Sequence, residues 1–505
     1  MGTVAPMTTW AAHLPAGAPA MPDLLAAGSL PGAWLAHWGA DPQRPVVFDD
    51  EGGWITAAEL EQRSRTVAGR FAAAGLHPGD RLLLSASAST ELVIVHVAAL
   101  RLGLVVLPAN TGYLERELAH LVRDAAPSIA VVDDEQRGRW IRAATDAPPL
   151  VVGTDIALPD GPDPAWLDGV GTGDPAVLAY TSGTTGAPKG ALLSHGNLLA
   201  SAEALRLAWR WTPDDRLVLP LPLFHMHGLG VGLHGTLTAG ASVVLRSHFD
   251  PTDTLDAAGS HQASLLFGVP TMWGRLAASG RVGELRRLRL GVSGSAPLDA
   301  GLHEAIARDG GQRLIERYGM TETVMLTSNP YDGDRRPGTV GLPLPGVELR
   351  LDDATDEIFV RGPNVFRGYW QRPDATADSF VDDWFATGDV GRLDPDGYVR
   401  IVGRRKELII SGGYNVYPRE VEDVLRTHPA VHDAAVVGLP HPDWGEQVVA
   451  AVEGSGTDAD TAALLDLADT ELAAYKRPKR VVWVDALPRN ALGKVIKAEV
   501  AELLA

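Results

Sequence analysis

The densest run of chemically useful groups is Thr181-Ser182-Gly183-Thr184-Thr185-Gly186-Ala187-Pro188-Lys189-Gly190, directly after the apolar run AVLAY. Four hydroxyls, three glycines and a lysine after a strand-like segment offer backbone N–H groups, O–H donors and an ammonium to phosphate oxygens. The loop is not a Walker A motif, because Lys189 follows Pro188 and precedes Gly190 and so cannot fit G-x-x-x-x-G-K-[ST]. Lysine is scarce elsewhere: of 44 basic residues only Lys189, Lys406, Lys476, Lys479, Lys494 and Lys497 are lysine, five of them in the last hundred positions. In a chain that otherwise uses arginine, each lysine is a candidate for a compact charge on a flexible stem. Lys476, Lys479 and Lys497 are equally well explained as solvated surface charges. His225 and His227 are two residues apart and share a face if the segment is extended. A metal pair there lacks a third ligand nearby in sequence, so His227 reads as a packed core histidine.

Elements of two kinds must carry these groups. From about residue 45, short apolar runs (PVVFDD, DRLLLSAS, LVVLPAN, PSIAVVDD) alternate with amphipathic stretches such as 57–74 and 91–102. The texture continues through ASVVLRS, ASLLFGVP and RLRLGVSGS to about residue 330. Strand-length runs alternating with helix-length segments predict βα units on a largely parallel sheet, hence an α/β class. Between 338 and 402 the pattern predicts short antiparallel strands. After Gly403-Arg404-Arg405-Lys406 it changes again, to an α+β unit of helices near 420–427 and 461–474 and strands at AAVVGLP, QVVAAVE and RVVWVDA.

Composition narrows the function. The 505 residues, 45% of them hydrophobic, suffice for a large core, and no apolar stretch approaches the length of a membrane span. Zero cysteines exclude disulfides, thiolate metal sites and a thiol nucleophile, and a net charge of −19 disfavours nucleic acid as partner. The first residues lack a basic stretch followed by an apolar one, so a cytoplasmic protein without secretory signal or membrane partner is expected.

Further short motifs follow the loop in order. They are Ser293-Gly294-Ser295-Ala296-Pro297, Glu316-Arg317-Tyr318-Gly319-Met320-Thr321-Glu322, Thr387-Gly388-Asp389, Gly403-Arg404-Arg405-Lys406 and Pro488-Arg489-Asn490-Ala491-Leu492-Gly493-Lys494. Over roughly residues 45–500 the set resembles the adenylate-forming superfamily of acyl-CoA synthetases, luciferases and adenylation domains. The resemblance implies a large N-terminal domain of βα-type sheets plus a small β-barrel-like part (26–402). A hinge (403–406) and a small mobile α+β C-terminal domain (407–505) would follow, and residues 1–25 read as a loose arm. It implies ATP, Mg2+ and coenzyme A as cofactors. ATP and AMP would be bound by Thr181, Ser182, Gly183, Thr184, Thr185, Lys189, Ser293–Pro297, Glu316–Met320, Asp389 and Arg404. Within that set Tyr318 would stack on adenine and Asp389 would accept the ribose hydroxyls. The implied catalytic residues are Thr321 at phosphate, Glu322 at the metal, and Lys494 over the α-phosphate. Lys406 would be the pivot that brings Ser411-Gly412-Gly413-Tyr414 to the site for CoA.

The substrate clue is Arg317. Many members of the superfamily carry a small residue directly before Tyr-Gly, whereas a guanidinium there disfavours a fatty chain and can grip a second carboxylate. The string ERYGMTETVMLTSNPYDGDRRPG is similar to that of malonyl-CoA synthetases, which implies malonate and methylmalonate as substrates. His225 and Met320 are the other acyl-side candidates, with Arg289 and Arg275 in reserve and Met226 and Trp273 as bulky fillers of a small pocket. Arg317 anchoring Glu316 or a neighbouring acid is the competing structural explanation. An alternative function is an enzyme for another small acid, loading CoA or a carrier-protein phosphopantetheine; a non-catalytic nucleotide-binding regulator is a remote third. A lysine acetyltransferase acting at Lys494 is a candidate protein partner.

Overall fold

The computed structural model describes residues 10–15, 17, 21–181, 188–411, 413–490 and 493–505. The described chain divides into two compact units. One holds the residues up to Glu348 together with Val360–Phe385; the other holds Leu349–Phe359 and Ala386–Ala505.

The first unit has two large sheets, both mainly parallel. The nine-stranded sheet runs Leu342–Pro343, Thr327–Ser328, Ile315–Tyr318, Leu290–Ser293, Leu265–Gly268, Arg216–Leu219, Ser242–Leu245, Pro45–Asp49 and Gly53–Thr56. The six-stranded sheet runs Leu150–Val152, Ile129–Val132, Arg81–Ser85, Val105–Pro108, Pro175–Thr181 and Lys189–Ser194. Their strands are nearly continuous apolar runs, as burial of both faces requires. Helices start where the sequence supplies caps: Thr56 with Glu59 and Ser194 with Asn197 each close a reciprocal pair of hydrogen bonds. Gly103 ends the helix Thr90–Leu102 in the left-handed conformation that glycine adopts without penalty. One core layer packs Val218, Val244, Leu266, Trp273, Leu276, Ile306 and Leu314; another packs Leu83, Leu107, Val122, Ala130, Ile141 and Leu178.

The predicted antiparallel region forms a five-stranded sheet from Glu348–Leu351, Glu357–Arg361, Trp384–Leu393, Phe380–Val381 and Val399–Arg404. The C-terminal α+β element is another five-stranded sheet, with Asp433–His441 and Gly445–Glu453 paired along their whole length. The helices Pro418–Leu425 and Asp458–Glu471 bury Val421, Leu425, Leu464 and Ala468 against it. The α/β class and the small α+β C-terminal element agree with the sequence reading. Part of the stretch read as a loose arm is packed: Trp10–His13 forms a tight turn whose Trp10 Nε1 donates to Val347 O at 2.8 Å, with His13 fully buried. Large aromatic area outweighs the small, proline-rich composition there. No helix among the described residues is long and apolar enough to cross a membrane.

Candidate active site

Sheet register assembles one end of the site. Leu265–Gly268, Leu290–Ser293 and Ile315–Tyr318 are parallel neighbours, with Gly268 opposite Ser293 and Ser293 opposite Glu316. The chain therefore emerges from adjacent carboxyl ends as Gly294–Pro297 and as Gly319–Glu322. Arg216–Leu219, parallel to Leu265–Gly268, feeds the segment carrying His225 and His227 from the same edge. Crevices at the carboxyl ends of parallel strands are where α/β sheets bind ligands.

Arg317 lies at the centre of this edge. It is only 5% exposed, and its Nε and Nη2 have no hydrogen-bond partner. Burial lowers the basicity of the guanidinium, with no charged partner to offset it. Its position dictates glycine at 294, where a Cβ would lie 2.4 Å from Arg317 Cζ and Nε. His225 is pushed down to about 4 and His227 well below the ordinary histidine value, by burial first and then by the Arg317 charge, so both rings are neutral. His227 Nδ1 lies 3.2 Å from Ser295 Oγ, and the His227 N–H donates to His225 Nδ1 at 3.2 Å. Ser295 and Val324 both have positive φ, +69° and +56°, a strained backbone for non-glycine residues. Next to them, a Cβ on Gly319 would overlap Val324 O. His227 is thus a buried histidine, as expected, but one that faces Ser295 and Arg317 rather than an inert core.

The competing explanations for Arg317 fail on geometry. The carboxylate of Glu316 accepts the Leu298 N–H at 3.1 Å, and Arg317 has no ion-pair partner among the described residues. Arg289 is committed to Asp215 at 2.6 Å and to Trp209 O at 3.0 Å. Arg275 lies over the Phe249 ring. Trp273 is a core residue with no exposed surface and its Nε1 on Val292 O, so it is not the expected pocket filler; large apolar side chains on a buried strand-facing helix go to the core first.

Two antiparallel strands bracket the Thr181–Gly190 motif. Pro175–Thr181 and Lys189–Ser194 pair antiparallel, with Thr181 opposite Lys189, and the helix begins only at His195. Ser182, Gly183, Thr184 and Thr185 lie outside the described residues. Lys189 Nζ stands 5.2 Å over the ring of Tyr369. Tyr369 Oη donates to Glu322 Oε1 at 2.8 Å, and Glu322 is buried. Residues 364–370 form a strap between these two motifs. Trp370 N donates to Gly190 O at 2.8 Å and Leu192 N to Gly368 O at 3.2 Å, while Phe366 N donates to Glu322 O at 2.9 Å. Asn364 Nδ2 donates to Thr323 O and Met325 O, at 2.9 and 2.7 Å. Sequence reasoning passed over Tyr369 and Asn364, because a lone tyrosine or asparagine in NVFRGYW carries no spacing signal. Tyr318, Met320 and Thr321 are partly exposed beside Glu322.

The second unit gathers the remaining candidates. Asp389 pairs with Arg404 across the antiparallel ladder, Oδ1 to Nε 3.1 Å. Thr387 Oγ1 accepts the Asp389 N–H at 3.1 Å and donates to Ile358 O at 2.8 Å, holding the turn at Gly388. Burial and the Arg404 guanidinium lower the Lys494 ammonium from its usual value, against the opposing pull of Glu407 and Asp389. Lys494, Arg404 and Asp389 therefore share one electrostatic neighbourhood. Lys406 lies in the turn Arg405–Glu407 between two sheets. Ser411 is buried, Tyr414 is 59% exposed and stacked on Tyr475 at 4.7 Å, and Gly413 has φ +83°. Gly412 lies outside the described residues.

Comparison with known proteins agrees with this geometry. Residues 35–370 match the AMP-binding enzyme family, and residues 420–494 match the AMP-binding enzyme C-terminal domain. A feruloyl-CoA synthase from Amycolatopsis sp is 37% identical over 490 residues, covering 93% of this chain and 98% of that protein. A malonate–CoA ligase from Arabidopsis thaliana is 35% identical over 475 residues, covering 84% and 78%. The crystal structure of ATP-bound MatB from Rhodopseudomonas palustris matches with a TM-score of 0.88 at 41% identity, covering 94% of this chain and 99% of that one. With these motifs in this arrangement, the chain belongs to the AMP-binding enzyme family, as one of its acyl-CoA ligases.

Proposed function

We propose that this enzyme converts malonate, and also methylmalonate, with ATP and CoA into the acyl-CoA, AMP and pyrophosphate through an acyl-adenylate. One observation carries the substrate: Arg317 is a buried guanidinium with two unsatisfied nitrogens, flanked by neutral histidines. An apolar acyl tail would leave that charge unpaired, whereas a second carboxylate would satisfy it with parallel hydrogen bonds. The similarity to a malonate–CoA ligase supports the same reading.

The chemistry needs no general base, because a carboxylate is already a nucleophile at neutral pH. Arg317 would hold the distal carboxylate and so aim the other at the α-phosphate of ATP. Thr181 and the hydroxyls that follow it, with Lys189, would hold the phosphate oxygens. Ser293–Pro297 and Glu316–Met320 would frame the adenine, with Tyr318 stacked on it. Asp389, preset by Thr387 and Arg404, would accept the ribose hydroxyls. Lys494 would place its ammonium on the α-phosphate and carboxylate oxygens, where charge builds up in the transition state. No group of three or more His, Asp or Glu among the described residues could cage a metal. A buried carboxylate, Glu322, fits a magnesium ion that is carried by phosphates and keeps its waters. Bound there, magnesium supplies neutralisation of phosphate charge. For the thioester step, reorientation at Lys406 would withdraw Lys494 and bring up Ser411–Tyr414, where the glycines let a pantetheine arm approach the backbone. Acetylation of Lys494 would remove the same charge and stop adenylation, which makes a lysine acetyltransferase the implied regulatory partner.

A panel of mono- and dicarboxylates scored by pyrophosphate release, then by thioester formation with free CoA, tests the proposal. Malonate and methylmalonate should lead propionate, butyrate and ferulate. The similarity to a feruloyl-CoA synthase makes the aromatic acid the sharpest competitor, and a preference for ferulate or butyrate would overturn the dicarboxylate reading. Pyrophosphate release without thioester formation on free CoA would point instead to a carrier-bound thiol.

A further inference from the structure

We infer that Tyr369 is a positioning residue that orients Glu322 for the metal–nucleotide complex through its hydroxyl, and steadies Lys189 through its ring. The inference rests on reading Glu322 as the carboxylate that faces magnesium. Tyr369 contacts both motifs: its Oη donates to Glu322 Oε1 at 2.8 Å, and its ring carries Lys189 Nζ at 5.2 Å.

The tyrosine is itself rigidly held. Its backbone bridges antiparallel to Ala191, and its N–H donates to Thr376 Oγ1 at 2.9 Å. The preceding Gly368 has φ +152°, and a Cβ there would lie 2.5 Å from Thr376 Cγ2, so only glycine lets the strap approach the short helix Pro373–Ala377. Phe366 packs edge-on against the Tyr369 ring at 4.9 Å and is itself packed by Phe380 and Phe385. The same strap also fixes the Glu322 backbone, through Phe366 N on Glu322 O. One short segment thus bonds both the backbone carbonyl and a carboxylate oxygen of Glu322. Carboxylates that meet metals depend on such outer hydrogen bonds for orientation.

Hydroxyl and ring can be separated by substitution. Tyr369→Phe removes the donor to Glu322 and keeps the ring under Lys189; Tyr369→Leu removes both. Binding of ATP is measured calorimetrically without an acid substrate, once with excess magnesium and once in EDTA, with a thermal melt of each variant. Tyr369→Phe should bind MgATP about 10- to 100-fold more weakly, while its affinity for metal-free ATP stays within about twofold of the parent. Tyr369→Leu should weaken both. Glu322→Gln should erase the magnesium-dependent gain. If Tyr369→Phe binds MgATP like the parent while Glu322→Gln loses the gain, the positioning role is wrong and the role of Glu322 stands. If Glu322→Gln keeps the gain, the reading of Glu322 itself fails. Equal losses of Tyr369→Phe with and without magnesium would show a merely structural tyrosine and overturn the inference.

Discussion

Replacing Arg317 by alanine separates substrate recognition from folding. In the free enzyme the guanidinium is buried, with Nε and Nη2 unpartnered, so little hydrogen bonding is lost with it. In a malonate complex it would pair with the distal carboxylate in a desolvated pocket. Deleting it leaves that carboxylate buried and alone, at a cost of about 2–5 kcal/mol. With about 1.4 kcal/mol per factor of ten, kcat/KM for malonate should fall roughly 30- to several-thousand-fold. Butyrate and propionate, which gain nothing from the charge, should improve. Because a buried unpaired charge is removed, the variant should melt no more than a few degrees below the parent. Arg317→Lys should recover only part of the malonate activity, since an ammonium cannot reproduce the planar fork. Gly294→Ala should imitate Arg317→Ala, because the new Cβ would sit 2.4 Å from the guanidinium. Added to Arg317→Ala, it should cost little more on malonate, the mark of a shared mechanism. The assay is kcat/KM for malonate and butyrate side by side, with a thermal melt. Equal losses on both acids would indicate damage to folding or to the neighbouring Tyr318, and retained malonate preference would refute the role of Arg317.

Lys494→Ala should lose adenylate formation by several orders of magnitude, about 3–5 kcal/mol for a desolvated transition-state contact, yet still form thioester from presynthesised malonyl-adenylate and CoA; equal loss in both half-reactions would contradict this. Lys406→Ala should be tolerated, whereas Lys406→Pro, with φ fixed, should support one half-reaction and not the other; an unimpaired overall rate would move the pivot elsewhere. Stability should fall with acid in a defined window. His13, His195 and His225 are pushed down to about 4 and His96 to about 3, by burial first, while the unfolded chain titrates near 6.5. The unfolded state therefore takes up protons first, so stability is level above about pH 6.5 and declines towards pH 4, by up to about 1.4 kcal/mol per pH unit for each histidine. A urea midpoint unchanged between pH 7 and pH 5 would refute it.

The sequence makes some of this architecture plain and hides the rest for physical reasons. Alternating apolar runs announce the parallel sheets, because strands buried on both faces must be apolar throughout. Register is invisible in one dimension, so nothing in the string sets Ser293 beside Glu316 or brings Gly294 against Arg317. The residue type at 317 signals a carboxylate partner, but only the structure shows that Glu316 is engaged elsewhere and that Arg289 is bound to Asp215. Ala191, Leu192 and Leu193 give no hint that an antiparallel strand, and not a helix, follows the phosphate-loop motif. Tyr369 reaches Glu322 across 47 positions, and Asn364 reaches Thr323 and Met325 across 41 and 39, which no local pattern encodes.

The strap at 364–370 also dictates how the protein can be made. The chain leaves the larger unit at Leu349 and returns to it only at Val360. Until that return, Gly190 O, Glu322 O, Thr323 O and Met325 O wait for donors on Trp370, Phe366 and Asn364. A ribosome that has released the first 348 residues therefore exposes an unfinished site whose carbonyls must remain hydrated. Closure has to wait for the following segment, a late step that links residues far apart in the chain. The same circuit governs dissection. A fragment cut at 348 should be aggregation-prone and unable to hold nucleotide, while one extended past Phe385 carries every hydrogen bond of the strap and the whole of the larger unit.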